Sequence, residues 1–496
     1  MAGLQGYDPR TGEPMGEPVA ETTAAGVDAA VQAAAEVAEE WANLNPHGRA
    51  VMLEAVAAAL DDRTQGLAAL ADRETALGGP RLTGEVARTT GQLRLFAEVL
   101  RDGAYLDVAH SPAGPDGTGV DLRRVSRPIG PVAVFAASNF PFAFSVAGGD
   151  TASALAAGCP VVVKAHEGHP RTSVVTAEIV TAALREAGAP DGVFTTVYGV
   201  DAGVALLWHP ALAAAGFTGS RRGGLALRRI CAERDVPIPF YGELGSVNPV
   251  TVLPGAAAGR PAEIAAGYAA SLTLGAGQFC TNPGLLFVPA GDDRLLAAIA
   301  AAVSGSAGGP MLSARIYHQF RAAAARLADD QAVTLLASGS PGEGPWGAAP
   351  AAYLVSLADF AAGLPGLGNE RFGPVGLVVG YPDPAGLPAV LARLGGNLAG
   401  CVHLDQSVPS DLDAARAVLA VLGRTTGRVV IHGWPTGVAV AWAQHHGGPW
   451  PASTAPASTS VGAAAIRRWL VPVVYQDCPL LLLPPGLRPM TRPMMR

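Results

Sequence analysis

Residues 127–142 read RPIGPVAVFAASNFPF, and residues 158–170 read GCPVVVKAHEGHP. Each is a short, valine-rich apolar run that stops at polar residues, which is typical of a buried strand that ends in a loop. Segments with helical periodicity, such as SVVTAEIVTAALREAG, follow these runs. Strands that alternate with helices through short loops predict an α/β fold with a parallel sheet covered on both faces. Polar residues at the carboxyl ends of such strands are the first candidates for a functional site.

The rest of the chain extends this pattern in both directions. Apolar residues at spacings of three and four predict helices over much of the first 110 residues. A second alternating segment runs from FYGELGSVNP (240–249) to about residue 445. The apolar run 470–475 comes so late that few partners remain for it within its own sheet. We therefore expect it to pair with a neighbouring subunit.

The low charge excludes several classes of protein. Of 496 residues, 34 are Lys or Arg and 41 are Asp or Glu, which gives a net charge of −7. Charged residues make up 15% of the chain, against about 25% in soluble domains. Such a chain lacks the clustered positive charge of a nucleic-acid binder. The longest stretches without a charged residue are 264–291 and 429–466; polar residues, Gly and Pro interrupt both, so we predict no membrane insertion.

The N-terminal sequence and the cysteines favour a cytoplasmic protein. MAGLQGYDPRTGEP has no basic segment followed by an apolar one, so no secretory signal is expected. The cysteines are odd in number and have no CxxC spacing, which argues against disulfides and zinc sites. The five cysteines are Cys159, Cys231, Cys280, Cys401 and Cys478.

Cys280 is the strongest candidate nucleophile. It stands in SLTLGAGQFCTNPG, an uncharged loop that contains Gly275 and Gly277. A free cysteine is more often an inert, buried apolar side chain. Polar neighbours and glycines that let a backbone approach a ligand favour the other interpretation, a thiolate that attacks a carbonyl carbon.

Glu243 and Asn139 are candidates for the chemistry around that nucleophile. Glu243 lies among apolar and small residues, where it is either a salt-bridged core residue or a base whose pKa is raised by burial. Asn139 follows a predicted strand, where it is either a turn residue or an amide donor to an oxyanion.

Two strand ends are candidates for binding a dinucleotide. FTGSRRGG (217–224), which contains Gly219 and Ser220, is a glycine-rich turn that can hold a pyrophosphate on N–H groups. Lys164 and Glu167 follow a strand and can bind ribose hydroxyls, although each alone is more typical of a surface residue. The histidine pairs 166/169 and 445/446 lack a third ligand in the sequence, so no metal site is predicted.

Taken together and in this order, these motifs resemble the aldehyde dehydrogenase superfamily over nearly the whole chain. The branch that is most similar includes 2-oxoglutarate semialdehyde (2,5-dioxopentanoate) dehydrogenases and NADP-using fatty aldehyde dehydrogenases. The motifs are DPRTGE (8–13), ASNFPF (137–142), VVVKAHEGHP (161–170), FTGS (217–220), ELGSVNP (243–249), GQFCTNPG (277–284), ERFGPV (370–375) and HGGPWPAST (446–454).

The resemblance implies a Rossmann-type cofactor domain, an α/β catalytic domain and a small β arm that forms a dimer or a tetramer. We expect the cofactor domain to comprise residues 1–110 and 131–245. The catalytic domain would span residues 246–445. The arm would comprise residues 111–130 and 446–496.

The resemblance also implies the role of each catalytic residue. Cys280 would attack an aldehyde to give a thiohemiacetal, and its oxyanion would be held by the Asn139 amide and the Cys280 N–H. Hydride transfer to nicotinamide would leave a thioester, which water activated by Glu243 would hydrolyse. No metal is required.

The cofactor residues follow in the same way from the resemblance. Lys164 and Glu167 match positions at the adenosine ribose. The pyrophosphate residues would be Gly219 and Ser220, and the nicotinamide ribose and ring residues would be Glu370 and Phe372. The carboxylate at position 167 would repel a 2′-phosphate, whereas Arg221 and Arg222 would offset that repulsion. We therefore expect NAD or NADP, with a slight preference for NAD.

The expected substrate is a small aldehyde, for which 2,5-dioxopentanoate is the first choice. Phe140, Phe142 and Phe144 could instead line a tunnel for a medium- or long-chain aldehyde, which is the alternative. A non-catalytic dinucleotide-binding protein would lack the nucleophile or the base. Acyl transfer to coenzyme A is disfavoured because Glu243 can activate water.

Overall fold

The computed structural model describes residues 3–114, 119–364, 366–484 and 487. In this part of the chain a five-stranded and a seven-stranded sheet form the two large layers, and a three-stranded sheet stands apart from both. Helices cover the large sheets, which confirms the predicted α/β fold. Among the helices of the described ranges, none is long and apolar enough to cross a membrane.

The N-terminal region is a hairpin followed by five helices. Thr23 caps the first helix, because its hydroxyl accepts the N–H of Gly26 at 3.2 Å. The fifth helix is the longest and contacts the loop that follows the first strand of the five-stranded sheet. The elements are β1 (Gly3–Tyr7), β2 (Pro14–Ala20), α1 (Ala24–Glu36), α2 (Ala38–Asn43), α3 (Pro46–Asp61), α4 (Thr64–Thr75) and α5 (Gly79–Asp102).

The five-stranded sheet follows two short strands, β3 (Ala109–Ser111) and β4 (Leu122–Pro128). Its elements are β5 (Val132–Phe135), α6 (Gly149–Ala157), β6 (Val161–Lys164), α7 (Pro170–Glu186), β7 (Phe194–Val197), α8 (Val200–Trp208), β8 (Ala214–Thr218), α9 (Arg221–Glu233) and β9 (Phe240–Glu243). The strands are parallel in the order β7-β6-β5-β8-β9. The winding direction changes between β5 and β8, which is where ligands bind in open α/β sheets.

The seven-stranded sheet has the order β13-β15-β16-β11-β10-β17-β18, and only its edge strand β13 is antiparallel. Its strands are β10 (Val250–Val252), β11 (Leu285–Pro289), β13 (Thr334–Ser338), β15 (Ala351–Ser356), β16 (Val375–Tyr381), β17 (Asn397–His403) and β18 (Thr426–Ile431), and β12 (Gly309–Pro310) pairs with β14 (Gly347–Ala348) outside it. The helices are α10 (Pro254–Gly259), α11 (Pro261–Thr273), α12 (Asp293–Ser304), α13 (Ala314–Ala328), α14 (Leu357–Ala362), α15 (Leu387–Arg393) and α16 (Pro409–Thr425).

The third sheet places the late apolar strand next to β4. This strand, β19 (Leu470–Gln476), is antiparallel to β4 along its whole length, and β3 lies on the other side of β4. The predicted arm is therefore too large, because residues 446–469 pack elsewhere. Trp469 is buried in the core of the five-stranded sheet, and its indole N–H donates to Ser153 at 2.8 Å. Residues 485–496 of the predicted arm, apart from residue 487, and residues 115–118 lie outside the described residues. The other domain limits stay a prediction.

Candidate active site

The loop that carries Cys280, residues 274–284, is here named the nucleophile loop. It follows α11 with a left-handed turn in which Gly275 and Gly277 have φ values of 56° and 69°. A Cβ at Gly277 would lie 2.3 Å from the carbonyl carbon of Gly373. Glycine is required at position 277 because the nucleophile loop contacts the backbone of Gly373 directly. Cys280 lies in this loop, just before the amino end of β11.

Asn248 holds the nucleophile loop in place. Its side chain is fully buried, and its amide donates to the carbonyl oxygens of Cys280 at 2.8 Å and Asn282 at 2.9 Å. The amide oxygen accepts the hydroxyl of Ser246 at 2.8 Å and the N–H of Ala399 at 3.2 Å. Sequence reasoning assigned no role to Asn248, although its place in the ELGSVNP motif was a signal.

Asn139 lies against the nucleophile loop, as expected for an oxyanion donor. Its side-chain amide donates to the backbone carbonyl of Gln278 at 2.9 Å, and its backbone carbonyl accepts from Nη2 of Arg81 at 2.7 Å. Among the described residues, the amide has no second acceptor, so one N–H stays available. These contacts fix the orientation of a buried amide against the nucleophile loop.

Glu243 is the last residue of β9, and its side chain is only 2% exposed. The carboxylate accepts a hydrogen bond from the hydroxyl of Ser460. Its Oε1 lies 3.1 Å from Nε2 of His446, which is equally buried. The carboxylate of Glu243, at the carboxyl end of the five-stranded sheet, therefore lies close to Cys280, which precedes a strand of the seven-stranded sheet.

His446 completes the cluster and was missed as a functional residue. Its Nε2 lies 3.8 Å from Sγ of Cys280, and ligand atoms of Glu243, Cys280 and His446 all lie within 4.8 Å of one another. From the sequence, residues 445 and 446 were interpreted only as potential metal ligands. The HGGPWPAST motif was the available signal, because it groups this histidine with other motifs of the site.

Burial and neighbouring charges set the protonation of this cluster. Burial raises the pKa of the Cys280 thiol well above its ordinary value, and the carboxylate of Glu243 raises it further. Burial also raises the pKa of Glu243, but the positive charge that His446 carries when it is protonated and the hydrogen bonds that His446 then donates and that Ser460 donates outweigh burial and hold this pKa below its ordinary value. The expected raised pKa of Glu243 is therefore wrong.

Lys164 and Glu167 meet at the carboxyl end of β6. Their side chains form an ion pair, and Lys164 is buried. The nearby histidines have protein partners: His166 Nδ1 accepts the N–H of Gly168 at 2.9 Å, and His169 contacts the carbonyl of Ala137 at 3.0 Å. The turn after β6 therefore presents a fixed ammonium and carboxylate.

Gly219 and Ser220 connect β8 to α9. Ser220 caps the helix by accepting the N–H of Gly223 at 3.2 Å, whereas the N–H of Gly219 donates to the carbonyl of Glu243 at 3.1 Å. The N–H of Gly219 is therefore not available to a ligand. Among the described residues, the N–H groups of Arg221 and Arg222 at the start of α9 have no partner and remain the local anion-binding groups.

A cleft of about 590 Å³ opens beside the catalytic cluster and contains Glu370. Glu370 accepts the N–H of Ser246 at 3.3 Å, and burial raises its pKa to about 7. A Cβ at Gly245 would lie 1.9 Å from Oε2 of Glu370, so only glycine leaves room for this carboxylate. Phe372 is partly buried two residues further on. Three arginines, Arg221, Arg326 and Arg393, also line the cleft.

The three phenylalanines after Asn139 separate into two groups. Phe142 is buried in the core. Phe140 and Phe144 are partly buried, 5.2 Å apart between ring centroids, and Phe144 lies 6.3 Å from the ring of His446. Only Phe140 and Phe144 therefore fit the predicted wall of a substrate tunnel.

A thiol 3.8 Å from an imidazole and close to a carboxylate, beside a cleft at the winding switch of an α/β sheet, fits an oxidoreductase that forms a covalent intermediate. The family model described as "Aldehyde dehydrogenase family" matches residues 2–387. The chain belongs to this family and is an aldehyde dehydrogenase, an enzyme that oxidises aldehydes with NAD or NADP.

Relatives and solved structures agree with this assignment. The chain is 46% identical to alpha-ketoglutaric semialdehyde dehydrogenase 2 from Azospirillum brasilense over 89% of its length and 84% of the relative. It is 41% identical to alpha-ketoglutaric semialdehyde dehydrogenase from Acinetobacter baylyi over the same shares. The fold matches a putative aldehyde dehydrogenase from Burkholderia cenocepacia with a TM-score of 0.81, 22% identity and 96% of both chains covered.

Proposed function

We propose that the enzyme oxidises 2,5-dioxopentanoate to 2-oxoglutarate. The observation that carries this proposal is the 46% and 41% identity to two relatives named for this semialdehyde. The alternative is a medium- or long-chain aldehyde, which the aromatic wall of Phe140 and Phe144 favours. Both substrates would react at the same catalytic cluster. The two proposals therefore differ only in which residues bind the part of the substrate that lies beyond the aldehyde group.

We assign the first chemical step to Cys280. His446 takes the thiol proton on Nε2, which lies 3.8 Å from Sγ, and Glu243 stabilises the resulting imidazolium from 3.1 Å. The thiolate attacks the aldehyde carbon and forms a carbon–sulfur bond. The free N–H of Asn139 and the backbone N–H of Cys280 then hold the oxyanion.

We assign the hydrolytic step to Glu243. Loss of hydride from the thiohemiacetal leaves a thioester on Cys280. Because its pKa is held below the ordinary range, Glu243 is ionised at neutral pH and can take a proton from water. The resulting hydroxide attacks the thioester carbon, the carbon–sulfur bond breaks, and the acid is released.

The residues of the two strand ends and the cleft fit a nicotinamide dinucleotide. When bound, this cofactor supplies the hydride acceptor. The fit rests on Gly245, where a side chain would displace the carboxylate of Glu370. Glu370 and Phe372 would hold the nicotinamide riboside, and the start of α9 would hold the pyrophosphate, with Gly219 and Ser220 forming the turn that leads to it.

Lys164 and Glu167 would bind the adenosine ribose and favour NAD over NADP. The carboxylate of Glu167 accepts ribose hydroxyls and repels a 2′-phosphate. Arg221 lines the cleft with Glu370 instead of joining the Lys164–Glu167 pair, so its charge supports pyrophosphate binding. This arrangement supports the slight preference for NAD.

Steady-state kinetics with 2,5-dioxopentanoate, pentanal and octanal, each with NAD and NADP, tests the proposal. We expect the highest kcat/KM for 2,5-dioxopentanoate with NAD. A higher kcat/KM for octanal would select the alternative. Replacement of Cys280 by Ala should abolish turnover of either substrate, which would show that the measured cofactor reduction occurs at this site.

We further propose a homodimer or a homotetramer in the cytoplasm. β19 is an edge strand of the three-stranded sheet, and Val471 and Val474 are exposed on it. Pairing with a second copy would cover this edge. All five cysteines are free thiols, which suits a reducing compartment. Light scattering of the purified protein would measure the oligomeric state, and a monomer would refute the first part.

A further inference from the structure

The approach to Cys280 has a wall that contains two arginines, Arg81 and Arg88, neither of which has an ion-pair partner among the described residues. The wall is formed by α5, by the Phe140 and Phe144 rings, and by the segment that leads to His446. Arg88 extends from α5, and its Cζ lies 5.7 Å from the centroid of the Phe144 ring. Its Nη1 donates to the carbonyl of Val438, in the segment before His446. Arg88 thus lies between the aromatic wall and the loop that carries the catalytic imidazole.

Arg88 has unused hydrogen-bonding capacity. Its Nε is buried and has no partner, and no acceptor within the described ranges bonds its Nη2. No carboxylate of the described residues lies within ion-pair distance of its guanidinium. Arg88 is half-buried, and a cation that is partly shielded from water without an ion-pair partner gains from a ligand that supplies the missing anion.

The carboxylate on the same helix does not fill this role. Oε1 of Glu85 accepts the N–H groups of Phe142 at 2.8 Å and Ala143 at 3.1 Å. Burial raises the pKa of Glu85, so its negative charge is weakly held. Burial lowers the pKa of Arg88, whereas the negative charges that Glu85, Cys280 and Glu243 carry when ionised raise it.

The second arginine of α5 is already engaged. Arg81 lies 4.8 Å from the centroid of the Phe279 ring and 5.1 Å from that of Phe140, and it donates to the carbonyl of Asn139. Its Nη1 is buried and has no partner in the described part of the chain, but the two rings fix the guanidinium. We interpret Arg81 as a positioning residue for Asn139.

We propose that Arg88 binds the terminal carboxylate of the aldehyde substrate and selects short oxo acids and other anionic aldehydes over alkanals. This assignment deepens the proposed function and rests on it. The guanidinium can donate two N–H groups to a carboxylate. The aldehyde end would then point to Cys280, with the chain of the substrate alongside Phe144.

The ratio of kcat/KM for 2,5-dioxopentanoate to that for pentanal measures this selection. We expect Arg88→Met to lower the ratio by roughly 10- to 100-fold, mainly through KM, because a charged hydrogen bond is lost. Arg88→Lys keeps the charge and should recover part of the ratio. Arg94→Met removes the same charge from the same helix, but Arg94 is exposed and pairs with Asp61 at 2.6 Å, so the ratio should not change.

Inhibition of pentanal oxidation by glutarate tests the anion site independently of the proposed substrate. Glutarate should inhibit the wild-type enzyme and inhibit Arg88→Met at least tenfold less. Equal losses for both aldehydes in Arg88→Met, with glutarate inhibition retained, would overturn the assignment. A wild-type enzyme that prefers octanal and yet shows glutarate inhibition dependent on Arg88 would refute the proposed substrate and support the anion site.

Discussion

Asn248 is the buried amide that connects the nucleophile loop to the strand next to it, and its replacement by Ala gives the sharpest test of the site. The side chain makes four hydrogen bonds within 3.2 Å, to Cys280, Asn282, Ser246 and Ala399. Its φ of 46° lies in the left-handed region, where Asn is tolerated better than Ala.

The expected cost follows from these contacts. A net value of about 1 kcal/mol for each neutral hydrogen bond gives about 4 kcal/mol. The left-handed backbone adds about 1 kcal/mol for an alanine. We therefore expect Asn248→Ala to lower the free energy of unfolding by about 5 kcal/mol. The loop that carries Cys280 would also shift, so kcat should fall more than KM rises.

Urea unfolding monitored by tryptophan fluorescence, together with steady-state kinetics, measures both effects. Asn282→Ala is the matched control, because Asn282 is also buried in the nucleophile loop and its amide makes one hydrogen bond, to Leu272 at 3.0 Å. Its replacement should cost about 1 kcal/mol. An Asn248→Ala protein that is no less stable than Asn282→Ala would refute the reasoning.

Other variants separate the steps of the reaction. Glu243→Gln should give a burst of reduced cofactor followed by slow turnover in stopped-flow measurements, because the thioester cannot be hydrolysed; the absence of a burst would contradict this role. His446→Asn removes the charge that lowers the pKa of Glu243, so the acid limb of kcat should move to higher pH, and an unmoved limb would count against the contact. Because burial raises the pKa of Glu370 to about 7, cofactor affinity should increase as the pH rises through 7, and Glu370→Gln should remove this dependence in titrations of cofactor fluorescence. Gly245→Ala should raise the KM for the cofactor at least tenfold, since the added Cβ displaces the carboxylate of Glu370, and an unchanged KM would disprove that packing.

The sequence predicted those parts of the molecule that local patterns determine. The apolar runs around residues 132–135 and 161–164 are central parallel strands, because such runs are stable only when both faces are covered. Cys280 and Glu243 were predicted from unusual local settings, and the structure brings them together. The role of His446 depends on where an irregular segment lies after folding. The periodicity of the sequence does not predict that position.

The protonation of Glu243 shows why a burial argument alone was insufficient. The sequence indicated an apolar setting, and burial does raise its pKa. The net shift is downward because Ser460 and His446, both distant in the sequence, bond the ionised form. An ionised Glu243 raises the pKa of Cys280, so it keeps the resting thiol protonated and inert. The base needed for hydrolysis therefore opposes ionisation of the nucleophile, and we assign the thiol proton to a second group. His446, within reach of both atoms, is the residue that resolves this conflict.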